Sequence, residues 1–286
     1  MGILSIQSHV AYGYVGNRSA AFPLELLGHD VWMVNTVQFS NHTGYGSWKG
    51  EAFGAEHVDA VVEGIAERGV LASCEAVLTG YLGFPALGDS VLRAVAAVKA
   101  ANPRALWCCD PVMGDSEPGF YVRSGIPELI RERFLPVADI VTPNQFEAEA
   151  LSGLAIRDDE SALAACAAIR KAGPGLVLVT SYKPTARKPG SICMLLSTTE
   201  GAWRVETPEL GFPTQPNGTG DLVSALFLAH WLRSRDPVEA LELVTDSVFS
   251  VLERTKRDGT RELRLVQSKD ALERPGRRFG AVPLGA

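Results

Sequence analysis

The sequence predicts an α/β fold of three layers, a mostly parallel central sheet with helices on both faces. Three observations carry that prediction. Short apolar runs alternate with longer segments of helical spacing almost from end to end, the alternation that builds parallel sheets. Polar clusters fall at the ends of those runs, at Ser8-His9, 38–43, Tyr81, Asp110-Pro111, 144–147 and 217–221. Ligands of open α/β sheets bind there, beyond the carboxyl ends of the strands. Finally, a glycine-rich turn at 217–221 opens directly onto an apolar helix, an arrangement that binds anions on backbone N–H groups.

The elements follow in order. Residues 3–7 form a short apolar run and read as the first strand; 20–27 carries helical spacing. Strand 31–37 and helix 57–68 come next, then strand 76–79 and helix 86–101. The buried run Ala105-Leu-Trp-Cys-Cys-Asp gives a strand over 105–110, followed by a helix over 126–134. Strand 139–142 leads into helix 145–152, then helix 158–172 and strand 176–180. Residues 192–196 and 203–205 read as a late hairpin around Thr198-Thr-Glu-Gly-Ala. Helix 222–233 and a helical region over 234–262, opened near Asp236-Pro237, complete the pattern, and the Arg274-Pro-Gly-Arg-Arg segment reads as a solvated tail. Residues 40–54, 114–120 and 183–190 are loops inside one domain spanning 1–286. Two of them, a flap near 40–50 and a loop near 182–190, are long and polar enough to cover a site.

Composition narrows the function. A chain of 286 residues with 46% hydrophobic and 21% charged residues is long and apolar enough for a large core. A net charge of −6 opposes nucleic-acid binding, which asks for a basic stripe. An anionic substrate must therefore be held by local devices such as helix ends and a divalent cation. The five cysteines show no C-x-x-C spacing, so neither a disulfide framework nor a zinc site is expected. No long apolar run or leader-like segment is visible, and a cytoplasmic protein without membrane contact is expected.

Asn217-Gly218-Thr219-Gly220-Asp221 precedes Leu-Val-Ser-Ala-Leu-Phe-Leu-Ala-His-Trp-Leu. The first N–H groups of a helix have no partner within it, and the dipole makes that end positive. Asp221 is the odd member, since a carboxylate beside a phosphate repels it. One role fits: a general base that takes a proton from a hydroxyl while the amides hold the transferring phosphoryl group. An acid in a first turn is also ordinary dipole chemistry, and Gly-Thr-Gly could be a tight turn alone.

Four further clusters bear on this. Gly13 and Gly16 lack the three-glycine dinucleotide spacing, which disfavours a Rossmann dehydrogenase. The stretch from Val37 to Gly50 gathers Phe39, Tyr45 and Trp48 with several hydroxyls, suited to closing over a flat ring or to a dimer contact. Asp110 ends a buried strand, and Glu147 stands one turn into a helix behind Asn144. Two such carboxylates beside an anion-binding helix suggest a Mg²⁺–nucleotide site, although Asn144 and Glu147 also make a capping box. Lys183, Arg187 and Lys188 sit on a loop that could brush phosphates or simply be solvated.

Taken together, the chain resembles the ribokinase superfamily, and within it the pyridoxal kinase family. The likeness runs through Ile6–Val10 with Tyr12-Gly13, Asn35–Tyr45, Leu78–Tyr81, Cys109–Gly114, Thr142–Glu149 and Gly218–Asp221. The last two blocks are shared by many superfamily kinases, whereas Gln38-Phe-Ser-Asn-His-Thr is narrower and points to vitamin B6. The resemblance implies a ribokinase-like fold and ATP-dependent phosphorylation of the 5′-hydroxymethyl group of pyridoxal, with pyridoxine and pyridoxamine as further candidates. It implies Asp221 as base, with Gly218, Thr219 and Gly220 as the anion hole, and Ser8, Thr43, Gly44 and Tyr81 around the ring. Asp110 and Glu147 would organise Mg²⁺ and phosphates, Glu147 or both through water, with Thr142 nearby. Thr180, Thr207, Pro208, Glu209 and Leu210 match positions bordering the nucleotide. Thr180-Ser181 stands where some bacterial relatives carry a lysine, although a Thr-Ser pair also occurs in the family. Family members are generally homodimers, so the resemblance implies a homodimer, with a monovalent cation as a further candidate cofactor. Two readings stay beside this one: a sibling kinase for hydroxymethylpyrimidine or a sugar, and a non-catalytic carrier of pyridoxal 5′-phosphate.

Overall fold

The computed structural model describes residues 2–285; Met1 and Ala286, the two ends of the expected domain, lie outside the described residues. Strand β1 (Gly2–Val10) leads through α1 (Asn17–Leu26) to β2 (Asp30–Phe39), and β3 (Gly50–Ala52) follows the flap. Next come α2 (Ala55–Ala66), β4 (Cys74–Thr79), α3 (Leu87–Ala101) and β5 (Leu106–Cys109). A two-strand ribbon, β6 (Gly114–Asp115) with β7 (Gly119–Phe120), precedes α4 (Ile126–Leu129), which runs on into a π-helical turn over Ile130–Phe134. The second half holds β8 (Ile140–Val141), α5 (Gln145–Ser152), α6 (Asp159–Ala172), β9 (Leu176–Tyr182), β10 (Ser191–Ser197) and β11 (Ala202–Pro208). Then α7 (Thr219–Ser234), α8 (Pro237–Arg257), α9 (Lys269–Glu273) and β12 (Val282–Leu284) close the chain.

All main strands join one sheet in the order β12-β11-β10-β9-β8-β5-β4-β1-β2-β3. The middle, from β9 to β2, is parallel, and the antiparallel strands lie at its two edges. Strand side chains alternate between faces, and the core splits accordingly. Val177 and Val179 pack with residues of α2, α3, α5 and α6, whereas Leu176 and Leu178 pack with α1, α7 and α8. The expected three layers are present. Because the parallel strands point the same way, their carboxyl ends bring Ser8, Tyr81, Asp110, Thr142 and Thr180 to one edge of the sheet.

Several local expectations need correction. β1 runs past residue 7 to Val10, so Ser8 and His9 lie inside the strand, where the register against β2 shifts between Gln7 and His9. α7 starts at Thr219, three residues before the apolar run. β3, the β6–β7 ribbon and β12 replace what read as loop or tail; each is two or three residues long and exists through its partner strand. Nor is the 274–278 segment simply solvated. Asp246 on α8 is 1% exposed, and a buried carboxylate requires a partner. Arg278 supplies it, with Nε 2.6 Å from Asp246 Oδ1. All five cysteines are buried and free, and among the described residues no helix is long and apolar enough to cross a membrane.

Candidate active site

The site is built around the start of α7. Gly218 caps the helix at φ 84°, and a Cβ there would stand 1.8 Å from the Tyr14 carbonyl oxygen. Only glycine permits both the left-handed backbone and that approach. Ser19 Oγ donates to the Gly218 carbonyl at 2.9 Å, which fixes the turn against α1. The N–H groups of Thr219, Gly220 and Asp221 open the helix, where intrahelical geometry offers them no acceptor.

Asp221 lies in that first turn and is half-buried. Crowding by protein raises its carboxyl above the usual range, against the opposing effect of a hydrogen bond from the Gly16 N–H. Such a shift brings a carboxylate base nearer to working pH. Asp110 follows β5 and is buried. Burial pushes its carboxyl well up, the negative charges of Glu147 and Asp221 add to this, and Ser224 opposes it. Glu147, on α5, is pushed up to about 8 by burial despite accepting backbone N–H groups. Its Oε1 takes Met113 N at 2.9 Å and its Oε2 takes Asn144 N at 2.9 Å. Asn144 Oδ1 accepts Glu147 N at 2.9 Å in return, so the capping box is real. That box also pins the chain just after Asp110.

Three carboxylates thus converge, and the charges that shift Asp110 are themselves negative. Burial is the first cause of the raised proton affinity in all three. Among the described residues no set of three His, Cys, Asp or Glu side chains could hold a metal by itself.

Sequence reasoning passed over Ser224. Its Oγ lies 3.1 Å from Asp110 Oδ2, 2.8 Å from Thr142 Oγ1 and 3.0 Å from the Gly220 carbonyl. A hydroxyl has one proton, so Ser224 donates to Asp110 or to Gly220 while Thr142 donates to Ser224. The signal was present: Ser224 and His230 are the only polar residues in the run 222–230.

At the β1 and β4 ends, Ser8 is buried in β1, and half-buried Tyr81 follows β4 with its carbonyl accepting from Thr36 Oγ1 at 2.7 Å. Thr43 and Gly44 occupy a short 3₁₀ turn, Thr43–Tyr45, and are exposed. Residues 261 and 262, also missed, hold that turn: Arg261 Nη2 donates to the Gly44 carbonyl at 2.7 Å and Tyr45 Oη donates to Glu262 Oε1 at 2.6 Å.

On the other side, Thr142 is buried after β8, and Thr180 in β9 donates its N–H to the Pro143 carbonyl at 2.8 Å. Ser181 is half-buried, and Lys183 Nζ lies 2.6 Å from Glu209 Oε1, so that lysine and Glu209 close the 183–190 loop together. Arg187 Nε donates to the Ser191 carbonyl at 3.0 Å. Thr207 and Pro208 end β11. Leu210 lines an open surface groove with Ser250, Glu253, Arg254, Lys256 and Arg257.

Comparison with known proteins adds three findings. A family model described as phosphomethylpyrimidine kinase matches residues 49–262. Pyridoxal kinase PdxY of Rubrobacter xylanophilus is 55% identical over 280 residues, covering 98% of this chain and 96% of the relative; that of Corynebacterium diphtheriae is 46% identical, covering 98% of each. Among solved structures, pyridoxal kinase from Leishmania donovani in complex with ADP and pyridoxamine superposes with a TM-score of 0.90 at 34% identity, covering 99% of each chain.

Proposed function

This chain belongs to the pyridoxal kinase family, and we propose that it transfers the γ-phosphoryl group of ATP to the 5′-hydroxymethyl group of pyridoxal with Asp221 as base. The observation that carries the roles is the meeting of Asp110, Glu147 and Asp221 at the N-terminus of α7. Phosphoryl transfer needs positioning, a cation on the phosphates and a base at the acceptor hydroxyl.

Asp221 accepts the hydroxyl proton, and the N–H groups of Thr219 and Gly220 face the phosphoryl oxygens, with Gly218 shaping the turn. Asp110 and Glu147 would hold Mg²⁺, with both Glu147 oxygens also accepting backbone N–H groups that fix the carboxylate in place. When bound, the metal neutralises charge on the phosphates. Thr142 supports Asp110 through Ser224. Ser8, Thr43, Gly44 and Tyr81 line the ring pocket. Thr180, Thr207, Pro208, Glu209 and Leu210 border the nucleotide. We assign a single cytoplasmic domain that works as a homodimer, with the monovalent cation left to assay.

The pyrimidine-kinase reading has one observation behind it, the family model's description. That match begins at residue 49, after Ser8 and the 38–45 stretch, whereas the likeness to pyridoxal kinases covers those residues too. The ring-binding part therefore favours pyridoxal.

ATP consumption measured with pyridoxal, pyridoxine, pyridoxamine and hydroxymethylpyrimidine tests the acceptor. Turnover with the pyrimidine alone would overturn the assignment, and no turnover with any would revive the carrier. Asp221→Asn is expected to lower kcat by about 10²–10⁴ with ATP binding retained; unchanged kcat removes Asp221 from the role.

A further inference from the structure

We propose that Glu262 and Arg261 are positioning residues that lock the substrate flap to the loop backing the phosphoryl-transfer site. The proposal rests on the reading of Thr43 and Gly44 as ring contacts. Nothing in the chemistry so far uses these two residues, and neither touches a reacting atom.

The flap turn Thr43–Tyr45 is exposed and buries none of its residues in the core. Inside the flap it has a weak cap, with Gly44 N donating to His42 Nδ1 at 3.1 Å. Its ties to the rest of the fold run to the segment after α8. Arg261 Nη2 reaches the Gly44 carbonyl at 2.7 Å, and the guanidinium stacks 3.8 Å above the Tyr45 ring. Arg261 thus fixes the backbone and the side chain of the same turn, which a planar fork does and an ammonium does not.

Glu262 links two segments. One oxygen accepts Tyr45 Oη at 2.6 Å, and the other accepts Tyr14 N at 3.0 Å. Tyr14 lies between β1 and α1, where its carbonyl packs against Gly218. Two residues on, Gly16 donates its N–H to Asp221. A chain of contacts therefore runs from the flap through Glu262 and Tyr14 to the base and the anion-binding turn. Tyr12 adds an edge-on ring contact to Tyr45, centroids 6.2 Å apart. The base of this clamp is firm: Leu263 next to Glu262 is fully buried, and Thr260 Oγ1 donates to the Glu262 carbonyl at 3.0 Å.

The test is steady-state kinetics on the full chain with pyridoxal and ATP varied separately. Glu262→Ala should raise KM for pyridoxal about tenfold, the scale of one hydrogen bond to a charged group, and lower kcat. KM for ATP should stay within twofold of its original value, the split that separates a flap effect from general damage. Glu262→Gln keeps an acceptor for one partner and should fall between. Tyr45→Phe removes only the hydroxyl, and combined with Glu262→Ala it should add little further, because the two share one contact. Should Glu262→Ala fail to fold, Tyr45→Phe alone decides. Wild-type KM and kcat for pyridoxal in both variants would overturn the proposal. Thr43→Ala tells the two readings apart: a raised KM there, with Glu262→Ala unaffected, sinks the lock and keeps the flap. Normal KM in all of them sinks the flap reading and the lock with it.

Discussion

Replacing Gly220 with alanine separates the ligand's demands from the protein's. Gly220 is the second residue of α7, and a Cβ built on it meets no atom within 4 Å. Its φ lies outside the left-handed region, so alanine costs no strain and should stabilise the helix by about 0.5–1 kcal/mol. At about 2–4 °C per kcal/mol for a chain of roughly this size, Tm should rise by about 1–4 °C. A Cα–Cβ bond in a helix tilts toward the N-terminus. The new methyl therefore enters the space that the first-turn amides offer to a phosphate. Displacing the phosphoryl group by about 1 Å costs on the order of 10²-fold in rate. The expected outcome is a protein more heat-resistant and about a hundred times slower at saturating ATP. Gly218→Ala is the contrast: its Cβ would stand 1.8 Å from the Tyr14 carbonyl oxygen, so it should lose Tm and activity together. Thermal melts and ATP consumption on both variants suffice. A Gly220→Ala enzyme with raised Tm and undiminished kcat would refute the claim that phosphate sits on these amides.

Two other outcomes follow. Ser224→Ala removes the hydroxyl shared by Asp110, Thr142 and Gly220 and should lower kcat about tenfold, the scale of one hydrogen bond to a charged group; kcat at wild-type level would make Ser224 a packing residue. Stability of the ligand-free protein should depend on pH through Glu147, whose carboxyl is pushed up to about 8 from its ordinary 4.5. The folded state then holds this proton more tightly than the unfolded chain, so its contribution is full below about 4.5 and is lost as pH rises through about 8. Melts from pH 5 to 9 should show Tm falling across that range, and a Glu147→Ala protein should show a flatter profile; identical slopes would mean that other groups set the trend.

What the sequence reveals here is what local chemistry encodes. The parallel strands show because runs such as Leu176–Thr180 are buried on both faces, and the α7 turn shows because two glycines and an acid interrupt an apolar pattern. Edge strands do not show. Gly50-Glu-Ala has no strand pattern, and β3 forms because β2 offers it a backbone ladder. Long-range charge pairs are hidden for a similar reason. Arg261 and Glu262 read as the last charged residues of the helical region over 234–262, whereas α8 ends at Arg257 and only folding carries the pair to Tyr45. Ser224 lies between these cases: a lone hydroxyl in a buried run says that something polar is opposite, without saying that it is Asp110.

A chain of net charge −6 that gathers three carboxylates at a helix N-terminus works against the proposed phosphate binding unless a cation arrives with the phosphate. The amides of α7 favour phosphate, whereas Asp110 and Glu147 repel it and attract a cation. The two preferences give opposite pH slopes. Without Mg²⁺, protonating Glu147 near its value of about 8 and Asp110, also raised, removes repulsion, so ATP affinity should rise as pH falls. With Mg²⁺, the same carboxylates must be ionised to hold the metal, so affinity should rise as pH increases. Titrating ATP from pH 6 to 9, once with EDTA and once with saturating Mg²⁺, should therefore give two lines of opposite slope. Parallel lines would mean that these carboxylates do not face the phosphates, and the assignment of Asp110 and Glu147 to the metal would fall with them.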